Sequence, residues 1–202
     1  MNSITEISTY CTSIVAKTDD GLITHVRNLD FKPVDKMKKL IYEQVMVKDG
    51  KEIAIAPGMA PFTGIFTGHK PGSFSISYNV REKLPEGPAR EHEIMQNLHR
   101  MLDSDFYLQS HFMETLMLNT GSFAEAVELV STTQMTSPSH FILGGLEQNE
   151  GVVVSRDFDK PADIRWLSDE DWFVVQTNSD VWTSPDSRFL KATELMQNLG
   201  QS

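Results

Sequence analysis

Residues Cys11 to Phe31 read CTSIVAKTDDGLITHVRNLDF, and the parsing of this stretch decides the fold. Cys11–Ala16 is short and β-branched, Asp19-Asp20-Gly21 is a turn signal, and Leu22–Val26 is a second apolar-rich run. The pattern predicts a hairpin. Its second strand returns Arg27 and Asp30 to the start of the first, beside the only cysteine of the protein. A guanidinium next to a thiol favours the thiolate, which is the nucleophilic form. The plainer alternative is a small buried hydrophobe at Cys11 and an ordinary surface pair at Arg27 and Asp30.

Downstream, Lys32–Lys39 reads as a basic loop. Leu40–Val47 and Glu52–Ala56 read as strands joined at Asp49-Gly50, with Ala56-Pro57-Gly58 ending the second. Phe62–Thr67 and Ser73–Tyr78 predict another pair, joined through Gly68–Gly72. The period changes after the Pro85–Pro88 loop. Ile94, Met95, Leu98, Met101 and Leu102 fall at helical spacing, as do Leu108, Phe112, Met113, Leu116 and Met117, with a break at Asp103-Ser104-Asp105. Both methionine-rich stripes are read as core, with an acyl-chain wall as the alternative. Ser122-Phe123-Ala124-Glu125 is a capping box that opens a third helix.

Strands resume at His140–Leu143, Gly151–Ser155, Ile164–Leu167 and Trp172–Thr177, and Arg188 opens a last helix. Val152-Val153-Val154 and Phe173-Val174-Val175 imply strands covered on both faces. Strands, then helices, then strands predict one layered α+β domain.

The chain has 202 residues and a net charge of −10, which excludes a nucleic-acid partner needing a basic footprint. One cysteine allows no internal disulfide. The scattered histidines have no zinc-ligand spacing, and no phosphate-cradling glycine loop or G-x-S-x-G elbow is present, so no metal or cofactor is expected. No run approaches the roughly 18 apolar residues of a membrane span. MNSITEISTY has neither the basic nor the apolar region of a signal peptide, so the bare sequence reads as cytosolic.

CTSIVA followed by RNLDF resembles the start of the catalytic chain of acid ceramidases and N-acylethanolamine-hydrolysing acid amidases. These are N-terminal-nucleophile hydrolases, related to the bile-salt and penicillin V acylases. The likeness continues in order through TGHKPGSFSISYN, FILGG, EGVVVSRD and VVQTNSDVW. The resemblance implies an αββα sandwich, two sheets between helical layers. It also implies cleavage of the Tyr10–Cys11 bond, which would make residues 1–10 a residual pro-segment and 11–202 the hydrolase domain. The freed α-amine of Cys11 would take the thiol proton, Arg27 would favour the thiolate, and Asp30 would orient the amine. Asn178 would hold the oxyanion, helped by Asn79 or a backbone N–H. Arg188 belongs to Asp186-Ser187-Arg188, which resembles the family's Asp-Asp-Arg.

The implied reaction is hydrolysis of an N-acyl lipid amide through a thioester, with ceramide or an N-acylethanolamine as substrate. The implied compartment is the lysosome, and the implied partner is the protein's own upstream segment. Family members continue with further strands, so a fold incomplete at both ends is expected. The competing reading is a shortened, non-catalytic paralogue that binds lipid or a partner. It is favoured by the short lead before Cys11 and by Val80, which stands where the nearest relatives carry a glutamate.

Overall fold

The computed structural model describes residues 10–30, 34–81, 88–103 and 105–200. Residues 1–9 of the expected pro-segment, Lys32-Pro33 of the basic loop and Pro85 lie outside the described residues. The opening hairpin is longer than its apolar core predicts. β1 (Tyr10–Lys17) pairs antiparallel with β2 (Ile23–Asp30) over the full length of both strands. Cys11 stands across from Leu29, Ser13 from Arg27, and Tyr10 from Asp30. The remainder of the expected loop forms a single helical turn, α1 (Val34–Met37), followed by a 3₁₀ turn at Lys38–Leu40.

β3 (Ile41–Lys48) and β4 (Lys51–Met59) form the predicted second hairpin. β4 does not stop at Pro57, which pairs with Glu43. Its other neighbour, β5 (Thr67–Lys70), joins it in register only at Ile55–His69, so the missing proline N–H interrupts no ladder there. β5 also corrects the expected Phe62–Thr67 strand. Gly64 sits at φ +84 against the Ser110 backbone, where an added Cβ would come within 2.6 Å of the Ser110 carbonyl oxygen. The Phe62–Phe66 run is therefore an apolar loop, with Ile65 and Phe66 buried, and the strand begins one turn later.

β6 (Phe74–Val80), β7 (Ser139–Gly144), β8 (Gly151–Arg156) and β9 (Pro161–Trp166) complete a seven-stranded antiparallel sheet in the order β3-β4-β5-β6-β7-β8-β9. β10 (Phe173–Gln176) pairs with β1, giving a second, three-stranded sheet β10-β1-β2. Between β6 and β7 run α2 (Pro88–Met101), α3 (Gln109–Asn119) and α4 (Phe123–Thr132). Ser122 caps α4 by accepting from Glu125 N, and Glu125 reaches back to Gly121 N. α5 (Ser187–Leu199) ends the described chain and lies against β10.

The two sheets stack, β1 over β6, β7 and β8, while α3 packs on β4 and β5 and α4 on β7 and β8. This is the helix, sheet, sheet, helix order of an αββα sandwich. It explains why every residue of β7 and β8 is buried. One face of the large sheet carries Phe74, Ile76, Tyr78, Phe141, Leu143, Val152 and Val154 into a core with Phe112, Met113, Leu116, Met117, Ala126 and Val130. The other face carries Ile142 and Val153 onto Val15, Leu167 and Val174. The sheets approach closely because Gly151 lacks a Cβ; one there would fall 2.9 Å from Val15 Cγ1. The stripe on α3 is core as expected, but that on α2 is not: Met95 is 50% exposed and Leu102, just beyond it, 81%.

Candidate active site

The strand period places Cys11, Ser13 and Val15 on the face of β1 turned toward the large sheet, and all three are buried. At the Val15 end the neighbours are apolar. At the Cys11 end they are polar, because the rows beneath are Asn79, His140 and Ser155, then Ser77.

Arg27 shares that face from β2. Its Nη2 donates to Cys11 Sγ at 3.4 Å and to the Tyr78 carbonyl at 2.5 Å. Its Nη1 donates to the Phe66 carbonyl at 2.7 Å and Thr67 Oγ1 at 2.6 Å. The guanidinium is thus anchored by main chain of the large sheet, with one nitrogen held against the sulfur. Asp30, by alternation, lies on the other face of β2. Both of its carboxylate oxygens accept from Asn28 Nδ2 at 3.1 Å, and its backbone stands across from Tyr10, beside the Tyr10–Cys11 bond.

The antiparallel register Ser13–Gln176, continued two residues past the ladder, brings Asn178 opposite Cys11. Asn178 Oδ1 accepts from Cys11 N at 2.9 Å, and its Nδ2 donates to the Val80 carbonyl at 2.8 Å. Arg188 arrives from the first turn of α5. Its Nη1 donates to the Cys11 carbonyl at 3.0 Å and its Nη2 to Asn178 Oδ1 at 3.1 Å. Both main-chain groups of Cys11 are therefore held, one by Asn178 and one by Arg188. Arg188 is steadied by Asp186 Oδ2 at 2.8 Å, while Asp186 Oδ1 accepts from Phe189 N at 2.9 Å and caps the helix. Burial pushes the Asp186 carboxyl up, but the Phe189 N–H and the Arg188 charge outweigh it and hold the pKa below the ordinary value.

Cys11, Arg27, Asn178 and Arg188 are brought together. Asn79 lies close by but is differently engaged. Its Nδ2 donates to the Gln176 carbonyl at 2.9 Å and the Thr177 carbonyl at 3.3 Å, so both amide hydrogens are committed to the end of β10. Its donors bind main chain here, as those of Asn178 do, since a fully buried amide must satisfy its own donors.

The sequence reading passed over the residues that build the floor. His140, fully buried, bonds Ser155 Oγ through Nδ1 at 2.9 Å and donates through Nε2 to the Asn178 carbonyl at 3.3 Å. Burial, then the Arg81 charge, lower its pKa to about 3 against an opposing pull from Asp180. Arg81 is itself buried, paired with Asp180 through Nε at 2.5 Å and with Asp157 at 2.8 Å, and lies over the Trp182 ring. His25 bonds Ser75 and Ser77; burial and then Arg27 lower its pKa to about 4. The available signal was alternation, which puts His25 on the face of Arg27 and Ser77 on that of Asn79. Among the described residues, no three His, Cys, Asp or Glu side chains converge as a metal site needs.

No family model matches the chain. It is 32% identical over 199 residues to the N-acylethanolamine-hydrolyzing acid amidase of Caenorhabditis elegans, covering 95% of this chain and 53% of that protein. It is 32% identical over 200 residues to the acid ceramidase of Homo sapiens, covering 91% of this chain and 49% of that protein. The chain spans about half the length of these curated relatives. The solved structure of a Caenorhabditis elegans N-acylethanolamine-hydrolyzing acid amidase ortholog superposes with TM-score 0.81 at 31% identity, covering 95% of this chain and 80% of that one.

Proposed function

Because this chain belongs to the family of acid ceramidases and N-acylethanolamine-hydrolysing acid amidases, we propose that it is an amidohydrolase that cleaves N-acyl lipids with Cys11 as nucleophile. The observation that carries the assignment is the grip on Cys11. A guanidinium nitrogen stands 3.4 Å from its sulfur, while Asn178 and Arg188 hold its nitrogen and carbonyl.

In the uncleaved chain Cys11 N is an amide that donates to Asn178 and has no basic lone pair. Removal of residues 1–10 turns it into an α-amine with an unperturbed pKa of about 7.7–8.0. The amine takes the thiol proton, so nucleophile and base belong to one residue. Arg27 stabilises the thiolate, and Asp30, across from the cut bond, orients the amine. The sulfur attacks the acyl carbon. Asn178 is the proposed oxyanion donor, its Nδ2 exchanging the Val80 carbonyl for the acyl oxygen. One such donor contributes about 2.7–4 kcal/mol. The C–N bond breaks, the amine leaves with a proton, and water hydrolyses the thioester to the fatty acid. The proposed compartment is the lysosome, in keeping with the acid-active enzymes it resembles. No helix among the described residues is long and apolar enough to cross a membrane.

The test is to incubate the full chain at mildly acidic pH, read its N-terminus by intact mass, and assay ceramide and an N-acylethanolamine side by side. A new N-terminus at Cys11 with turnover of either lipid is expected. Turnover by a chain still carrying Tyr10 would defeat the N-terminal-nucleophile assignment.

A further inference from the structure

We propose that His25, held as the Nε2–H tautomer, is a positioning residue at the head of a one-way hydrogen-bond chain through Ser77, Ser13 and Asn79 that fixes the main chain leading into Asn178. The chain links His25 on β2, Ser77 on β6, Ser13 on β1 and Asn79 on β6, and ends on the carbonyls of Gln176 and Thr177.

Its direction follows from donor inventory. The Asn79 amide faces two carbonyls on one side, which only accept, so its Nδ2 points there and its Oδ1 points to Ser13. Flipping the amide would set an oxygen against two oxygens. Oδ1 cannot donate, so the Ser13 hydroxyl, 3.1 Å away, donates to it. That hydroxyl has one hydrogen. Toward Ser77 Oγ, at 3.0 Å, Ser13 therefore accepts and Ser77 donates. With its own hydrogen committed, Ser77 accepts from His25 Nε2 at 3.0 Å. The proton on the ring is thereby assigned to Nε2. In the neutral ring Nδ1 then has only its lone pair, so the single Ser75 hydroxyl hydrogen, which also has the Gly144 carbonyl at 3.2 Å within reach, turns to Nδ1 at 2.9 Å.

Ser13, Ser77 and Asn79 are fully buried, so water does not substitute for the links among them. Burial, then the Arg27 charge, keep the ring neutral above a pH of about 4, which supports a fixed tautomer. The far end of the chain is the pair of carbonyls just before Asn178, whose Oδ1 accepts from Cys11 N. His25 touches neither Cys11 nor substrate in this scheme; it acts by denying Asn79 any other orientation. Only the effect on turnover rests on the function proposed above.

The full chain, labelled with ¹⁵N-histidine, is examined by long-range proton–nitrogen correlation, with His25→Gln identifying the His25 signals by their loss. A protonated Nε2 and a pyridine-like Nδ1 are expected, and the opposite tautomer overturns the proposal. Amide exchange at Asn178 and Ser179 is then compared in wild type, His25→Gln and His25→Leu. Glutamine supplies an N–H where Nε2 lay, and leucine does not. Exchange about tenfold faster in His25→Leu, restored toward wild type in His25→Gln, is expected; equal exchange in all three overturns the proposal. Under the proposed activity, kcat falls about tenfold in His25→Leu with KM unchanged, and recovers in His25→Gln. Wild-type protein inert toward both lipids would count against the proposed hydrolase, while the tautomer and exchange readouts still decide the role of His25.

Discussion

The two faces of the seven-stranded sheet are built on opposite principles. The face under α3 and α4 is mainly apolar, with buried Arg156 at its edge bonded to the Ser131 and Thr133 carbonyls, and Phe112, Phe141 and Tyr78 meet there ring to ring. The face under the small sheet is apolar only around Val15, Ile142 and Val153; toward Cys11 it becomes serine, histidine, asparagine and arginine, each side chain hydrogen-bonded. Burial on the first face is non-directional and tolerates small shifts. On the second it fixes the orientation of each group, because a buried donor without an acceptor costs about 1–3 kcal/mol. The difference shows how one sheet can carry stability on one side and geometry on the other.

Acid should separate the faces most sharply. The unfolded chain protonates His25 and His140 near the ordinary 6.5, but the folded chain resists until about 4 and about 3. Between those values the unfolded state binds more protons, so stability falls as pH drops through the window and levels off below it. Each unit of depression corresponds to about 1.4 kcal/mol, so the two together are worth several. The groups around them are Arg27, Ser75 and Ser77 for His25, and Arg81, Arg165, Asp180 and Ser155 for His140. Among the described residues, no buried histidine or carboxylate belongs to the helix-side core. Urea midpoints from pH 7 to pH 4 measure the loss, and a flat profile would remove the contrast.

Phe141→Ala cuts into the apolar face, where it should cost about 3–5 kcal/mol with little change in turnover per folded molecule. Ser77→Ala, on the other side of the same strand pair, removes far less volume. It should cost about 1–3 kcal/mol, since His25 and Ser13 each lose a partner. Arg27→Ala should lower turnover at least about tenfold, the equivalent of 1.36 kcal/mol, while circular dichroism stays that of the wild type. Denaturation curves and lipid hydrolysis on the three variants check whether stability and activity divide by face.

The apolar face was the more legible in the sequence. Val152-Val153-Val154 can only be a strand covered on both sides, and Phe112 to Met117 can only be a helix stripe facing it. The hairpin that carries Arg27 toward Cys11 was legible too, because its turn is local. Two elements misled for physical reasons. Phe62–Phe66 has strand composition, but Gly64 at positive φ winds it into a loop. Pro57 reads as a stop until the lack of a ladder on its far side is known. The meeting of Asn178 with Cys11 depends on the register of β1 with β10, 167 positions apart in the chain, which no local pattern contains. The same holds for Asn79. Its residue type invites an oxyanion role, and only the carbonyls of Gln176 and Thr177 show where its hydrogens go.

Asp186 divides its carboxylate, one oxygen on Phe189 N and the other on Arg188, whose own Nη1 reaches the Cys11 carbonyl. The first turn of this helix and the hold on the Cys11 carbonyl therefore share one carboxylate. A fluctuation that swings Asp186 off the Phe189 amide also loosens its hold on the guanidinium that reaches Cys11. The stability of one helical turn thus bears on how firmly the Cys11 carbonyl is held, at a point 175 residues along the chain from it.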